Sequence, residues 1–384
     1  MIYFDNAATS WPKPPEVKEA MVRFMDEIGA NPGRSGHLLS IEAARIIYDA
    51  REALSNLFNV KDPSRIVFTL NATESVNLAL KGILRPGDHI ITSSMEHNSV
   101  MRPLRDLEKR GIGLTVIPCS PTGELDPGDV KKKIQSHTKM IVINHASNVT
   151  GTLLPIREVG ESARENGILF LVDAAQTAGA YPIDIEGDRI DLLAFTGHKS
   201  LYGPQGTGGL VIGENVNIQD LTPLKHGGTG SRSEFELQPD FLPDRYESGT
   251  PNAVGIAGLL AGVQFVLKKR TEPIRQYETL LIGNLIEGLR EIPGISFYGP
   301  ENLTDRMATL SFNIKNLSPS EVAFRLENEA GILCRPGLHC APSAHKTIRT
   351  FPEGTVRLSL GYFNTLEEVH LAIKTIDRIA RSNS

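Results

Sequence analysis

The sequence contains no long uncharged apolar run, so no transmembrane helix is expected. It has no basic tract either. Lys plus Arg number 40 against 45 Asp plus Glu, a net charge of −5, and such mild acidity argues against nucleic acid as the main partner. Cysteine is scarce. Cys119, Cys334 and Cys340 are too few for a disulfide framework and read as thiols in a reducing compartment. The opening stretch, MIYFDNAATSWPKPPEVKEAM, lacks the basic-then-apolar layout of a secretory signal, and a cytoplasmic location is the expectation. Repeats, low-complexity segments and an obvious linker are missing as well.

What is present is an ordinary globular balance, 40% apolar and 22% charged, over 384 residues, enough for two domains. EVKEAMVRFMDEI puts Val17, Ala20, Met21, Phe24, Met25 and Ile28 on one helical face. RIVFTL, HIITS, MIVINHA, ILFLVDAA and DLLAFT are short apolar runs separated by helical stretches such as TESVNLALKGIL and IREVGESARENG. That alternation predicts a mostly parallel sheet covered on both faces, with ligands at the carboxyl ends of its strands. Beyond about residue 255 long helices precede MATLSFNI, SEVAFRLENEA, TVRLSL and TLEEVHLAIKTIDRIA, the pattern of a smaller α/β domain. The expected division is a large domain over 15–260 and a small one built from 1–14 and 261–384.

Three stretches carry chemistry. Asp173 ends a very apolar strand in LVDAAQTAG, with Gln176 one turn on. A carboxylate there needs a partner: it either caps the next segment or faces a cation that the adjacent sequence does not supply. FTLNATESVNLAL runs from strand through turn to helix, with Thr73 able to cap and Glu74 in the first turn. The helix start is a ready anion site, or simply a capped end. Lys199 follows DLLAFT and precedes GPQGTGG, where glycines allow close backbone approach. A lysine shielded from water becomes a nucleophilic amine; the alternative is a surface lysine in a glycine-rich loop. Taken together, the three ask for one object with an anionic phosphate, a protonated ring nitrogen and an aldehyde. Pyridoxal 5′-phosphate has all three.

The ordered motifs YFDNAAT, MEHNS, HASNVTGT, DAAQ, TGHKSLYGPQGTGGL, YESGTPN and RPGLHCAP resemble those of the class V aminotransferases on the fold-type-I pyridoxal-phosphate architecture. The chain is most similar to the cysteine desulfurases of the shorter-loop kind, which include selenocysteine lyases. The resemblance implies that Lys199 is the Schiff-base lysine, Asp173 the partner of the pyridinium nitrogen and Gln176 that of the phenolic oxygen. His97 would stack on the ring, Thr73, Thr196 and His198 would contact the phosphate, and Ala72 and Asn148 would also contact the cofactor. Thr250 would reach the phosphate of a second subunit, which implies a homodimer. Asn148 and Arg357, with Arg335 nearby, would hold the substrate carboxylate.

In CRPGLHCAPSAH, the residues Cys334, His339, Cys340 and His345 could be read as metal ligands, but C-x4-H-C-x4-H is not a usual zinc spacing and no metal is expected. The resemblance makes Cys340 the sulfur-accepting nucleophile, with Arg335 and His339 favouring its thiolate. Leu338 stands where this subgroup usually has a first histidine. Cys334 reads as a strand residue and Cys119 as a structural thiol. The implied reaction converts L-cysteine to L-alanine and leaves a persulfide for an acceptor protein. Selenocysteine lyase, an aminotransferase and a non-catalytic sulfur relay are the alternatives.

Overall fold

The computed structural model describes residues 1–33 and 36–382. After β1 (Ile2–Tyr3), α1 (Pro15–Arg23) runs into a single wide π turn over Phe24–Ile28, and α2 (Leu38–Phe58) follows. Val17, Phe24 and Ile28 are buried, but Met25 is 55% exposed. The reason is the π turn, whose extra residue rotates Met25 off the face that a regular 3.6-residue period would give it.

The central sheet holds β2 (Ile66–Thr69), β3 (His89–Ser93), β4 (Gly113–Ile117), β5 (Thr138–Asn144), β6 (Leu169–Asp173), β7 (Leu192–Thr196) and β8 (Gly208–Ile212). Their order is β2-β8-β7-β6-β5-β3-β4, and β8 alone runs against its neighbours. Ile141, Ile143, Phe170 and Val172 enter one apolar core, while Met140, Val142 and Leu171 enter another. Alternate residues of one strand thus serve opposite faces, and both faces are covered. The connecting helices are α3 (Ala72–Ile83), α4 (Asn98–Glu108), α5 (Pro127–Lys132) and α6 (Ile156–Glu165). The glycines before and in β8 turn out to serve protein packing. A Cβ on Gly208 would lie 2.7 Å from Asn71 Cα, and one on Gly197 2.2 Å from Thr207 Oγ1.

The remaining elements are α7 (Ala253–Lys269), α8 (Thr271–Arg290), β9 (Ile295–Tyr298), β10 (Thr309–Ile314), α9 (Pro319–Ala330), β11 (Ile332–Leu333), β12 (Arg335–Gly337), α10 (Pro342–Thr347), β13 (Thr355–Ser359) and α11 (Leu366–Arg381). β12-β13-β10-β9 form an antiparallel sheet, and β1 pairs in parallel with β11. Ile2 and Phe4 share a core with Leu285, Phe312, Leu358 and Ile376, so the N-terminal strand belongs to the second body. Leu259 and Val263 of α7 pack with the large sheet. A division at 260 would cut α7 in the middle. We propose that it lies at the α7–α8 junction, where Arg270 takes a positive φ of 67°.

Candidate active site

Strand ends build the site. β6 ends at Asp173, which is in register with Asn144 of β5 and Ala194 of β7. β7 ends at Thr196, and Lys199 lies three residues on. The strap of residues 9–13 ties this loop down: Ser10 Oγ donates to Lys199 O at 2.7 Å, and Lys13 Nζ to His198 O at 2.7 Å. A cleft of about 260 Å³ opens here. Its walls bring together Ala72, Thr73, His97, Asn148, Asp173, Gln176, Thr196, His198, Lys199, Arg335 and Arg357. The sequence had scattered these eleven over 286 positions.

At the centre, Asp173 is 4% exposed. Its Oδ1 accepts from Ala175 N at 2.9 Å and its Oδ2 from Ser99 Oγ at 3.3 Å. Among the described residues no cationic side chain forms an ion pair with it, and burial pushes its pKa up. A buried carboxylate without an ion-pair partner fits a cationic group of a ligand. Burial lowers Lys199 to about 8, against a pull upward from Asp173. His97 caps α4: its Nδ1 accepts from Ser99 N at 3.0 Å, so the proton sits on Nε2. Burial, then the charges of Lys199, Arg335, Arg357 and Arg102, push it to about 4, and the ring is neutral. The cap holds the imidazole on the cleft wall. Gln176 Nε2 donates to Ala7 O at 3.1 Å, which holds the amide on the cleft wall.

At the anion end, α3 is capped by Asn71 and not by Thr73. Asn71 Oδ1 accepts from Glu74 N at 3.0 Å. Ala72 and Thr73 occupy the first turn, where helix N–H groups have no intrahelical acceptor. Thr196 Oγ1 and His198 Nδ1 are buried without a hydrogen-bond partner. Orphaned polar atoms beside a helix start fit a phosphate.

At the opposite end, Arg357 is buried in β13. Its Nη1 donates to Asn148 O at 3.0 Å and its Nη2 to Asp5 Oδ1 at 2.5 Å, while Nε and Asn148 Oδ1 have no partner. Cys340 is exposed at this rim, and Arg335 Nη2 lies 3.4 Å from its Sγ. His339 does not help a thiolate by charge. Its ring turns inward, to Arg335 O at 2.9 Å and to His345 Nε2 at 3.2 Å, and burial drives it to about 2. Cys334 falls between β11 and β12, part-buried, with its thiol pushed up to about 12 by burial. Among the described residues no His, Cys, Asp and Glu side chains are grouped as a metal site. Thr250 lies apart, in a hollow shared with Glu74, Lys225 and Asn252.

Sequence reasoning missed Asp5, Ser99 and Glu96, and weighed His345 only as a metal ligand. Ser99 bridges His97 and Asp173. Glu96, fully buried, accepts from Ser93 Oγ at 2.6 Å and from Asn144 N, and burial raises it to about 8. The motif MEHNS contains both. The signal available was that a buried polar pair flanking His97 needs partners.

The model of the aminotransferase class-V family matches residues 2–371. A probable cysteine desulfurase of Methanothermobacter thermautotrophicus is 36% identical, over 99% of this chain and 94% of its own. One from Pyrococcus abyssi is 37% identical over 100% and 95%. The apo structure of cysteine desulfurase from Thermococcus onnurineus superimposes with a TM-score of 0.93 at 35% identity, covering 99% and 95% of the two chains. The fold is that of the pyridoxal-phosphate fold-type-I enzymes, and the family depends on that cofactor. With its matched length and its full-length relatives, the chain belongs to the aminotransferase class-V family.

Proposed function

We propose that the protein is a pyridoxal 5′-phosphate-dependent cysteine desulfurase with Cys340 as its sulfur acceptor. One observation carries the reading. Arg335 lines the cleft of Lys199 and Asp173 and also touches the Cys340 sulfur, so a thiol stands at the mouth of an amine-and-carboxylate site. Ala72, Thr73, Thr196 and His198 would hold the phosphate, Asp173 the ring nitrogen, Gln176 the phenolic oxygen and His97 the ring face. When bound, the cofactor supplies a carbonyl carbon for Lys199 and a sink for the electron pair freed at the substrate Cα.

The chain does the rest. Arg357 and Asn148 hold the α-carboxylate of L-cysteine. The Lys199 amine, already lowered to about 8, takes the Cα proton. The Cys340 thiolate attacks the substrate sulfur: an S–S bond forms, the Cβ–S bond breaks and Cβ gains a proton. Protein thiol plus L-cysteine thus gives protein persulfide plus L-alanine, and an acceptor protein removes the sulfur. A homodimer belongs to the same reading. Trp11, Val22, Met25, Leu38, Leu39, Ile41 and Tyr48 are all exposed within one short stretch, and a second copy would cover them and place Thr250 at its partner's phosphate. A cytoplasmic location accords with three free thiols.

The test is incubation of the holoprotein with L-cysteine. L-Alanine should form, and the peptide containing Cys340 should gain one sulfur by mass. Alanine without added sulfur on that peptide would refute the acceptor role.

A further inference from the structure

Behind Cys340 lies a pair of buried histidines that this chemistry does not use. The turn Leu338–Ala341 is closed by Ala341 N donating to Leu338 O at 2.9 Å, and its central residues His339 and Cys340 have φ of 49° and 57°. Two successive left-handed residues are the pattern of a type I′ turn, which Asn-Gly normally fills. Side chains with a Cβ stay there only where the surroundings hold them. Asn98 N donates to Cys340 O at 2.9 Å, and Asn148 Nδ2 to His339 O at 2.7 Å. The third hold is the His339 ring.

The protons on that ring follow from its neighbours. Arg335 O can only accept, so His339 Nε2, 2.9 Å away, carries the proton and Nδ1 is an acceptor. His345 Nε2, at 3.2 Å from Nδ1, must then donate. This leaves His345 Nδ1 to accept from Thr350 Oγ1 at 2.7 Å. Each imidazole is confined to one tautomer, in a chain running from Thr350 to the backbone carbonyl of Arg335. Both rings are buried, and both are held neutral, His345 at about 4. The chain ends on Arg335, the residue whose guanidinium meets Cys340 Sγ.

We propose that His345 is a positioning residue for sulfur acceptance: as an Nε2–H donor it locks His339, and through it the strained turn that aims Cys340. The inference rests on the reading of Cys340 as acceptor.

The test compares two holoenzyme variants. H345L has no donor, whereas H345Q keeps an amide N–H. H345L should lose kcat for L-cysteine by roughly 10²-fold, the order expected for a reacting atom misplaced by about 1 Å, with KM within about twofold. Iodoacetamide should alkylate its Cys340 at an altered rate, and H345Q should recover most of kcat. Wild-type kcat in H345L overturns the proposal, and so does H345Q falling as far as H345L. Should H345L fail to take up cofactor, T350V replaces it. Loss of the Thr350 donor should lower kcat several-fold with KM held, and an unchanged kcat overturns the proposal equally. C340S is assayed alongside. If it turns over L-cysteine normally, the acceptor reading fails; if it is inactive while H345L is fully active, only the His345 inference fails.

Discussion

Asp5 Oδ1 lies 2.5 Å from Arg357 Nη2, although 352 residues separate them in sequence. The pair joins the segment just after β1 to β13 of the small sheet. Arg357 has a side chain only 1% exposed, and Asp5 is its sole ion-pair partner among the described residues. Burial lowers the guanidinium pKa, and Asp5 opposes that shift. Arg357 is thus kept charged and oriented on the cleft wall.

Asp5→Asn should therefore destabilise the free enzyme by about 3 kcal/mol, since it leaves a buried cation unpaired. A saturating amino-acid carboxylate such as L-alanine should restore part of that loss by taking the vacated side of Arg357. Calorimetric melting with and without L-alanine checks both effects. An Asp5→Asn protein that melts with the wild type would show that the pair does not hold Arg357.

Lys199→Ala should lose activity by more than about 10³-fold while still binding cofactor through the contacts at Ala72, Thr73, Thr196 and His198. Borohydride reduction of the wild-type holoenzyme should attach the cofactor to the peptide containing Lys199. A label on any other lysine rules out the assignment.

How much of this was readable beforehand depended on distance along the chain. β5, β6 and β7 were legible because uninterrupted Ile, Val, Leu and Phe mark strands buried on both faces. β8 was not, because the glycines that let it pass Asn71 and Phe195 erase its apolar pattern. β12, spelled Arg-Pro-Gly, lies at the sheet edge, where proline is tolerated and propensity says little. In the site, Lys199, Asp173 and Gln176 could be read from residue type, position and resemblance. The Asp5–Arg357 pair, the Ser99 bridge and the His339–His345 chain could not. Their geometry is set by how whole elements pack within each body, and no local pattern encodes which polar group meets which.

Cys340→Ala should abolish L-alanine formation from L-cysteine with the cofactor spectrum unchanged, because only a thiolate can take the sulfur. L-Selenocysteine turnover should suffer less, selenium being the better leaving atom. Cys334→Ala and Cys119→Ala should stay active. Burial raises both thiols, Cys334 to about 12, so neither supplies thiolate near neutral pH. Added sulfur found mainly on Cys334 would mean the wrong nucleophile.

Ile41 is 56% exposed at the start of α2, within the apolar stretch assigned to the dimer. Ile41→Asp should shift light scattering toward monomer and weaken cofactor retention, because Thr250 would no longer reach a partner's phosphate. A fully active monomer with bound cofactor would contradict the shared site.

Glu278 gives a stability prediction away from the chemistry. It is 6% exposed, and burial raises its pKa to about 8, with Arg275 and a backbone hydrogen bond at Tyr362 opposing. The folded value lies above the ordinary 4.5, so the folded state binds a proton that the unfolded chain has released. The stabilising contribution is therefore complete below about pH 4.5 and is lost as pH rises toward 8. Glu278→Gln keeps the shape and cannot ionise. It should gain on the wild type between pH 5 and pH 8 by up to about 4 kcal/mol. Glu96, also raised to about 8, is present in both proteins and cancels from the difference. Melting temperatures of the two proteins at pH 5 and pH 8 decide it. A gap of the same size at both would mean that Glu278 folds with its charge intact.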